Sequence, residues 1–587
     1  MIEIIRSVLY LLTFIYAYCT IWRCFKSEKK LNGVTWLLLT FVLELCASAF
    51  VVGIVNLIKI PINLWTMICI HLVIGILFHY RSRKDEKTQT YAWNLFDIGF
   101  LAALAVVMSA FFIFFKGLSP QLKFFNSDAA VHFKNAMAVV RHGHLSGMYF
   151  SELWTGMTIQ CFLPVFKEVN AYKIFILMDH FFFFLEIEMF MVLLREYART
   201  ARQKAAAVVI FAVYVLGYPI MSYLFSFFYW GMAILMIGSL LLLAKYYHEN
   251  QIERSRLLPA MMVTCHAITM CYMLFGPFSF VLLFLYLTYV YIMEHHKLDL
   301  SWVSMNMKIF LLPTILDIYY CCIYFGVLAQ VNISVNQVIR TSGGCYAERH
   351  LNFYWILPLF LYMFVYCIYK RQLDIVMASQ LCMGLVIAVF MILSRKGYIS
   401  FYYFSKFYYP FWLFSFLVAF QAICRIMERY SKFMVIYLLI VFLPVLGHFY
   451  RSELPKVEEN IEMDIQSLDI YGFNYGLYKR THVIYGNEHV EACNYVMEEL
   501  EKEDKVPLLC DSDAYSYWYE AITGRDCSEY YFWTQEFSDI QDKLDSQEIN
   551  YFVVYKNTGI YLANQEYFDS FDRVCENDMA MVCSTAK

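Results

Sequence analysis

Stretches of about 20 mostly apolar residues, the length that crosses a bilayer as a helix, recur along the first 450 residues and narrow what this chain can fold into. About fourteen meet that length criterion: 3–24, 34–57, 61–80, 94–116, 171–194, 203–225, 228–247, 257–275, 276–293, 305–327, 352–369, 375–393, 402–424 and 432–449. Only Gly276–Pro277 punctuates the pair at 257–293. Hydrophobic residues are 60% of the chain and charged ones 16%, against about 45–50% and about 25% in soluble globular proteins. Lipid must therefore solvate most of the surface. The predicted fold class is a polytopic α-helical membrane protein of about 14 transmembrane helices with a small C-terminal extracytoplasmic α/β domain. The first apolar stretch lacks a basic n-region, so it reads as a retained span and not a cleaved signal.

Charge divides the chain near Arg451. Residues 1–450 carry a net +14 and residues 451–587 a net −17, within an overall −3. Two domains follow: a multispan body at 1–450 with a long loop at 117–170, and an acidic tail at 451–587. The tail's field repels phosphate, so no nucleic-acid partner is expected. Short basic loops fall at 26–30, 81–84, 195–204, 245–256, 294–297, 370–371 and 425–432, after every odd-numbered span. The positive-inside rule makes these cytoplasmic. It places the N-terminus, the loops at 117–170, 328–351 and 394–401, and the tail outside, in a multi-pass protein of the cell membrane. Helix-like 488–501 and 537–545 alternate in the tail with strand-like 506–510, 550–555 and 579–583, as in a small α/β domain. Five cysteines lie there, and a Cys575–Cys583 disulfide is left open.

The segment FFNSDAAVHFKNAMAVVRHGHL at 124–145 carries the candidate chemistry. Asn126 or Ser127 can cap a helix that begins at Asp128 and ends at Gly143. Its apolar positions Ala129, Val131, Phe133, Ala136, Met137 and Val140 predict a helix lying along the membrane surface. Asp128 and His132 share a face. Trp154, Met157, Phe162 and Pro164 predict a second interfacial element. At the same predicted outer side, SRKGYISFYYFSKFYYPFW (394–412) sets Arg395, Lys396 and Lys406 among Tyr402, Tyr403, Tyr408 and Tyr409. Cations placed there suit a lipid-linked phosphate, or else snorkel to headgroups within an aromatic belt. Arg395 and Lys396 rank ahead of Lys406, and Arg340, Arg349 and His350 are weaker candidates of the same kind. Inside the spans, Asp179 and His180 could floor the site, while His266 and Asp317 read as interhelical hydrogen-bonding groups.

An Asp just after a span, in a long early extracytoplasmic loop of surface-lying helices, resembles the GT-C superfamily. These are multispan glycosyltransferases that use polyprenyl-phosphate sugars and often carry a C-terminal extracytoplasmic domain. The resemblance implies that Asp128 is the general base on an acceptor hydroxyl, with His132 beside it. Independently of the resemblance, Arg395, Lys396, Lys406, Tyr402, Tyr403, Asp179 and Arg340 are the candidate substrate-binding residues, and donors at GT-C sites are similar, with a phosphate held by bases near the bilayer surface. Asp128 stands alone instead of in an Asp-x-Asp or Glu-x-Asp pair, so a divalent metal is left open and no other cofactor is implied. Three spans precede the one leading into the loop, where many members have none. The expected partners are a polyprenyl-phosphate-linked sugar, an extracytoplasmic glycan or protein acceptor, and the bilayer. Two rivals stand beside this reading: a transporter or flippase for lipid-linked sugars, and a polysaccharide polymerase or ligase relying on Arg340 and Arg349. No P-loop, nucleotide fingerprint or zinc motif is present.

Overall fold

A computed structural model describes residues 2–25, 30–83, 91–122, 128–143, 149–215, 217–224, 226–330, 334–340, 356–451, 487–511, 513–530, 536–546 and 548–586. Asn126, Ser127, Arg349 and His350, with most of the 26–30 loop, lie outside them. Nine described helices are long and apolar enough to cross a membrane. They are α1 (Ile2–Cys24), α2 (Gly33–Leu57), α3 (Leu64–Arg83), α4 (Leu95–Lys116), α10 (Phe228–His248), α12 (Phe275–His295), α13 (Leu300–Gln330), α16 (Ile375–Arg395) and the first half of α18 (Tyr408–Arg451). The other expected stretches are also helical, but shorter, broken or more charged. The 171–194 stretch is α7 (Ala171–Arg195), which carries Asp179, Glu186 and Glu188. The 203–225 stretch divides into α8 (Ala201–Val215) and α9 (Tyr218–Leu224). The 257–293 pair is a true hairpin, with α11 (Arg254–Cys271) turning through Tyr272 into α12. The 352–369 stretch is α15 (Ile356–Lys370), and the last two expected spans run together as α18, interrupted at Tyr430 (φ −129°, ψ 49°).

Polar contacts tie the basic loops to one end of this bundle. Arg81 donates to Ser255 O at 2.8 Å, Arg256 donates to Cys24 O, and Arg254 pairs with Glu294. Lys245 meets Glu196 at 2.9 Å, and Arg195 meets Asp97 at 2.7 Å. Tyr197 reaches Asp374 at 3.3 Å, and Gln203 donates to Cys424 O at 2.9 Å. Arg195 and Asp97 are both buried, so each holds the other's charge out of lipid. The alternation read in the sequence thus has a geometric counterpart: loops that follow alternate spans meet in space.

The opposite end is capped by the 117–170 region. It contains α5 (Asp128–His142) and α6 (Phe150–Phe162). The chain returns between α14 (Val335–Ile339) and α17 (Phe401–Lys406), which precedes the span starting at Tyr408.

The C-terminal domain is a four-stranded mixed sheet with helices on both faces. Its elements are α19 (Asn487–Glu498), β3 (Leu508–Leu509), α20 (Asp513–Thr523), α21 (Phe537–Asp545), β4 (Tyr551–Tyr555), α22 (Gly559–Ala563), α23 (Gln565–Phe568), β5 (Asp572–Glu576) and β6 (Ala580–Ser584). The order is β3-β4-β6-β5, with β3 parallel to β4 and the other pairs antiparallel. Alternate strand residues face opposite ways. Val553, Tyr555 and Val582 accordingly join Cys493, Trp518 and Tyr519, whereas Phe552, Val554 and Met581 join Ile540, Leu544 and Phe568. Helix 537–545 and the strands at 550–555 and 579–583 appear within a residue of their predicted places. Edge strand β5 and helix α20 were not anticipated: β5 is polar, whereas α20 carries an apolar face of Trp518, Tyr519 and Ile522 that the sequence reading passed over. The Cys575–Cys583 bridge is not formed. Cys575 stands opposite Val582 on β6, so Cys583 points to the other face of the sheet.

Helix α20 lies directly on α5 (Trp518 packs on Phe133 with ring centroids 5.5 Å apart), so the tail and the 117–170 loop occupy one side of the bundle. Cysteine placed at exposed Ser546 should therefore react with an impermeant maleimide in intact cells if α5 is outside. Cysteine at exposed Lys297 should react only after permeabilisation, and labelling of both in intact cells would break the assignment of opposite sides. Gly524 ends α20 at φ +76°, and a Cβ there would sit 3.0 Å from the Arg141 guanidinium. Gly524→Ala should destabilise the docked domain by about 1–2 kcal/mol, the cost of forcing an L-residue left-handed, read as a lowered thermal midpoint.

Candidate active site

Helix α5 forms where the sequence predicts it, from Asp128 to His142, and Gly143 follows at φ +66° with its carbonyl accepting from Ile62 N at 2.7 Å. Its apolar face meets protein, not lipid as expected. Ala129, Phe133, Ala136 and Met137 are buried against α6, α7 and α20, and only Val131 of the apolar set is exposed. Phe133 packs on Phe175 at 5.4 Å between centroids. Asp128 is exposed in the first turn, where the helix dipole favours a carboxylate.

One turn on, His132 Nδ1 lies 2.7 Å from Glu152 Oε1. Glu152 is buried and also accepts from Asn135 Nδ2 at 2.9 Å and from Tyr149 N at 2.8 Å. Those donors fix the carboxylate, and the carboxylate in turn fixes the imidazole. The ring packs against Tyr229, with centroids 4.8 Å apart and the planes tilted by 51°. His132 is therefore an oriented group inside the site wall rather than a free interfacial one.

Lys406 is a buried cation that the charge of Asp128 reaches. Its side chain is only 2% exposed, and its ammonium sits over Trp230 at 3.8 Å, Tyr402 at 4.3 Å and Phe227 at 5.1 Å. Ring faces of this kind hold a cation that has lost its water. Burial still pulls the Lys406 pKa down, to about 7, and the Asp128 carboxylate pulls it back up. Underneath, Tyr409 donates to buried Glu186, which faces Gly231 closely enough to exclude any side chain there. That contact locks the starts of α10 and α18 to α7.

The remaining candidates sit around this core. Asp179 is buried within α7. His180 meets Tyr223 OH at 3.3 Å. Tyr403 OH donates to Val338 O at 2.6 Å, and Ser400 N donates to Ile339 O at 2.9 Å, so α14 is tied to the turn before α17. Arg340, Arg395 and Lys396 are exposed on these two connected segments. Away from the site, His266 and Asp317 form an interhelical pair at 2.5 Å, which Thr269 joins at 2.7 Å.

Among the described residues no three His, Cys, Asp or Glu side chains gather to hold a metal ion. The sequence reading passed over Glu152, Trp230, Lys116 and Glu186. Lys116 and Glu186 carried a usable signal, being charges within apolar stretches. Trp230 carried none, because its partner Lys406 lies far away in the chain, whereas Glu152 sits three residues after Tyr149, at the spacing of a helix-capping box.

No family model matches this sequence, and no curated protein matches it. Among solved structures, the chain is similar to ArnT from Cupriavidus metallidurans bound to undecaprenyl phosphate, with a TM-score of 0.48, 10% identity, and coverage of 83% of this chain and 98% of that one. The same enzyme in the apo state gives a TM-score of 0.48 at 11% identity, over 83% and 98% of the two chains.

Proposed function

We propose that this chain is a GT-C-like glycosyltransferase, which moves a sugar from a polyprenyl-phosphate donor to an acceptor hydroxyl of the cell envelope on the extracytoplasmic side. One observation carries the reading: a caged and almost fully buried ammonium, Lys406, lies at the bundle end away from the basic loops, within reach of the charge of an exposed carboxylate, Asp128. A carboxylate can take a proton while a cation beside it receives a leaving phosphate. An apolar groove of about 400 Å³ between α15, α16 and α18, lined by Ile356, Phe360, Gln380 and Phe411, lies within two turns of Lys406 and has the chemistry of a prenyl chain.

In the proposed reaction the acceptor oxygen attacks the anomeric carbon from the face opposite the phosphate. The new C–O bond forms as the bond from that carbon to the phosphate oxygen breaks, and configuration inverts. The electron pair leaves on the polyprenyl phosphate, which Lys406 neutralises. The hydroxyl proton passes to Asp128. Arg340, Arg395 and Lys396 would draw the anionic headgroup toward the site, with Tyr402 and Tyr403 shaping its entry and Asp179 under its floor. His132, held by Glu152, would position a substrate hydroxyl.

Two experiments check this. Asp128→Asn keeps nearly the same shape, so the protein should fold and still bind decaprenyl phosphate at pH 6.5. Its sugar transfer from polyprenyl-phosphate hexoses and pentoses to envelope acceptors should fall by about 10²–10⁴. Intact Asp128→Asn protein with near wild-type transfer would remove Asp128 as the base, and wild-type protein without any transfer would favour a flippase. Lys406→Met should weaken decaprenyl phosphate binding by roughly tenfold or more, the value of a charge-assisted contact. Because burial lowers the Lys406 pKa to about 7, the free site loses its charge as pH rises through that value. Wild-type affinity should accordingly decline between pH 7.5 and 9, and Lys406→Met should abolish that dependence. A pH-independent affinity in the wild type would place the phosphate elsewhere.

A further inference from the structure

We propose that the C-terminal domain is a positioning element of the catalytic centre, acting through α5, with Glu520, Trp518 and Arg141 as the residues that transmit its hold. The proposal rests on the reading of Asp128 as general base. Helix α5 is gripped from two sides: α6 and α7 hold one, and α20 holds the other. Trp518 is fully buried, and its ring lies 5.5 Å from Phe133 and 6.3 Å from Phe175, so it wedges α5 against α7. Phe133 adjoins His132, and both lie within two turns of Asp128.

Charge fixes the register of the same contact. Buried Glu520 accepts from Lys134 Nζ at 2.6 Å and from Cys527 N at 2.9 Å, which joins α5 to the domain's own backbone. At the other end of α5, Arg141 donates to Ile522 O at 3.0 Å and Ala521 O at 3.3 Å, the open carbonyls at the end of α20, and to Glu168 at 3.0 Å. Cations at a helix C-terminus satisfy such carbonyls and the dipole together. Lys134, Arg141 and Phe133 thus fasten three points of a four-turn helix, and a helix so fastened cannot slide or roll independently of the domain. Reacting groups lose about a hundredfold in rate for a misplacement of about 1 Å, so this grip sets the reach of Asp128.

The test uses the full chain in nanodiscs. Glu520→Gln keeps the bond from Cys527 N but loses the ion pair, Arg141→Met frees the α20 carbonyls, and Lys134→Gln with Glu520→Gln restores a neutral hydrogen bond. Hydrogen–deuterium exchange over residues 128–142, which needs no substrate, should quicken about tenfold in the first two variants and recover in the paired one. Turnover of a polyprenyl-phosphate hexose or pentose should fall about tenfold in kcat, with decaprenyl phosphate affinity held. In an Asp128→Asn background the same substitutions should cost nothing more, because a positioning group acts only through the residue it positions. Unchanged exchange over α5, or an equal loss of turnover in both backgrounds, would overturn the proposal. Quickened exchange with wild-type turnover would leave the grip real and also overturn its catalytic role. An active Asp128→Asn protein would instead sink the general-base reading, which separates the two failures.

Discussion

Phe133, pressed between Phe175 of the membrane bundle and Trp518 of the C-terminal domain, is the contact on which the candidate site most depends. Helix α5 has too small an apolar face to stand in lipid unaided, and the structure covers that face with protein on both sides. Aromatic packing of this kind is insensitive to salt and pH. It therefore supplies a rigid base on which the titratable groups, Asp128 and His132, can be set out at one-turn spacing.

Charge is placed by the same logic of desolvation. At the basic end, Arg195 and Asp97 neutralise each other where neither meets water. At the opposite end, no carboxylate among the described residues closes off Lys406 in the same way: aromatic faces hold it, and the charge of Asp128 reaches it from the surface. A cation desolvated without full neutralisation is poised to accept an anion. Arg340, Arg395 and Lys396, exposed around it, fit the attraction of a headgroup better than its final seat.

Much of this was legible in the sequence because it depends on period and punctuation. The apolar stretches, the alternation of basic loops, the extent of α5 from Asp128 to Gly143, and the strand at 550–555 are all local patterns. The count of spans was less legible, since Glu186 and Glu188 in α7 and the break at Tyr430 in α18 obscure what crosses the membrane. Least legible were the pairings. Nothing near Lys406 in the chain announces Trp230, and nothing near His132 announces that Glu152 will orient it. The sequence ranking put Arg395 and Lys396 ahead of Lys406. Burial, which the sequence does not display, is what distinguishes Lys406.

The most direct measurement is a structure determined with decaprenyl phosphate bound. The site geometry predicts a phosphate oxygen about 3 Å from Lys406 Nζ, the prenyl chain in the groove between α15, α16 and α18, and the Asp128 carboxylate facing the same cavity. A phosphate seated on Arg395 and Lys396, with Lys406 still closed in its aromatic cage and Asp128 turned away, would contradict it.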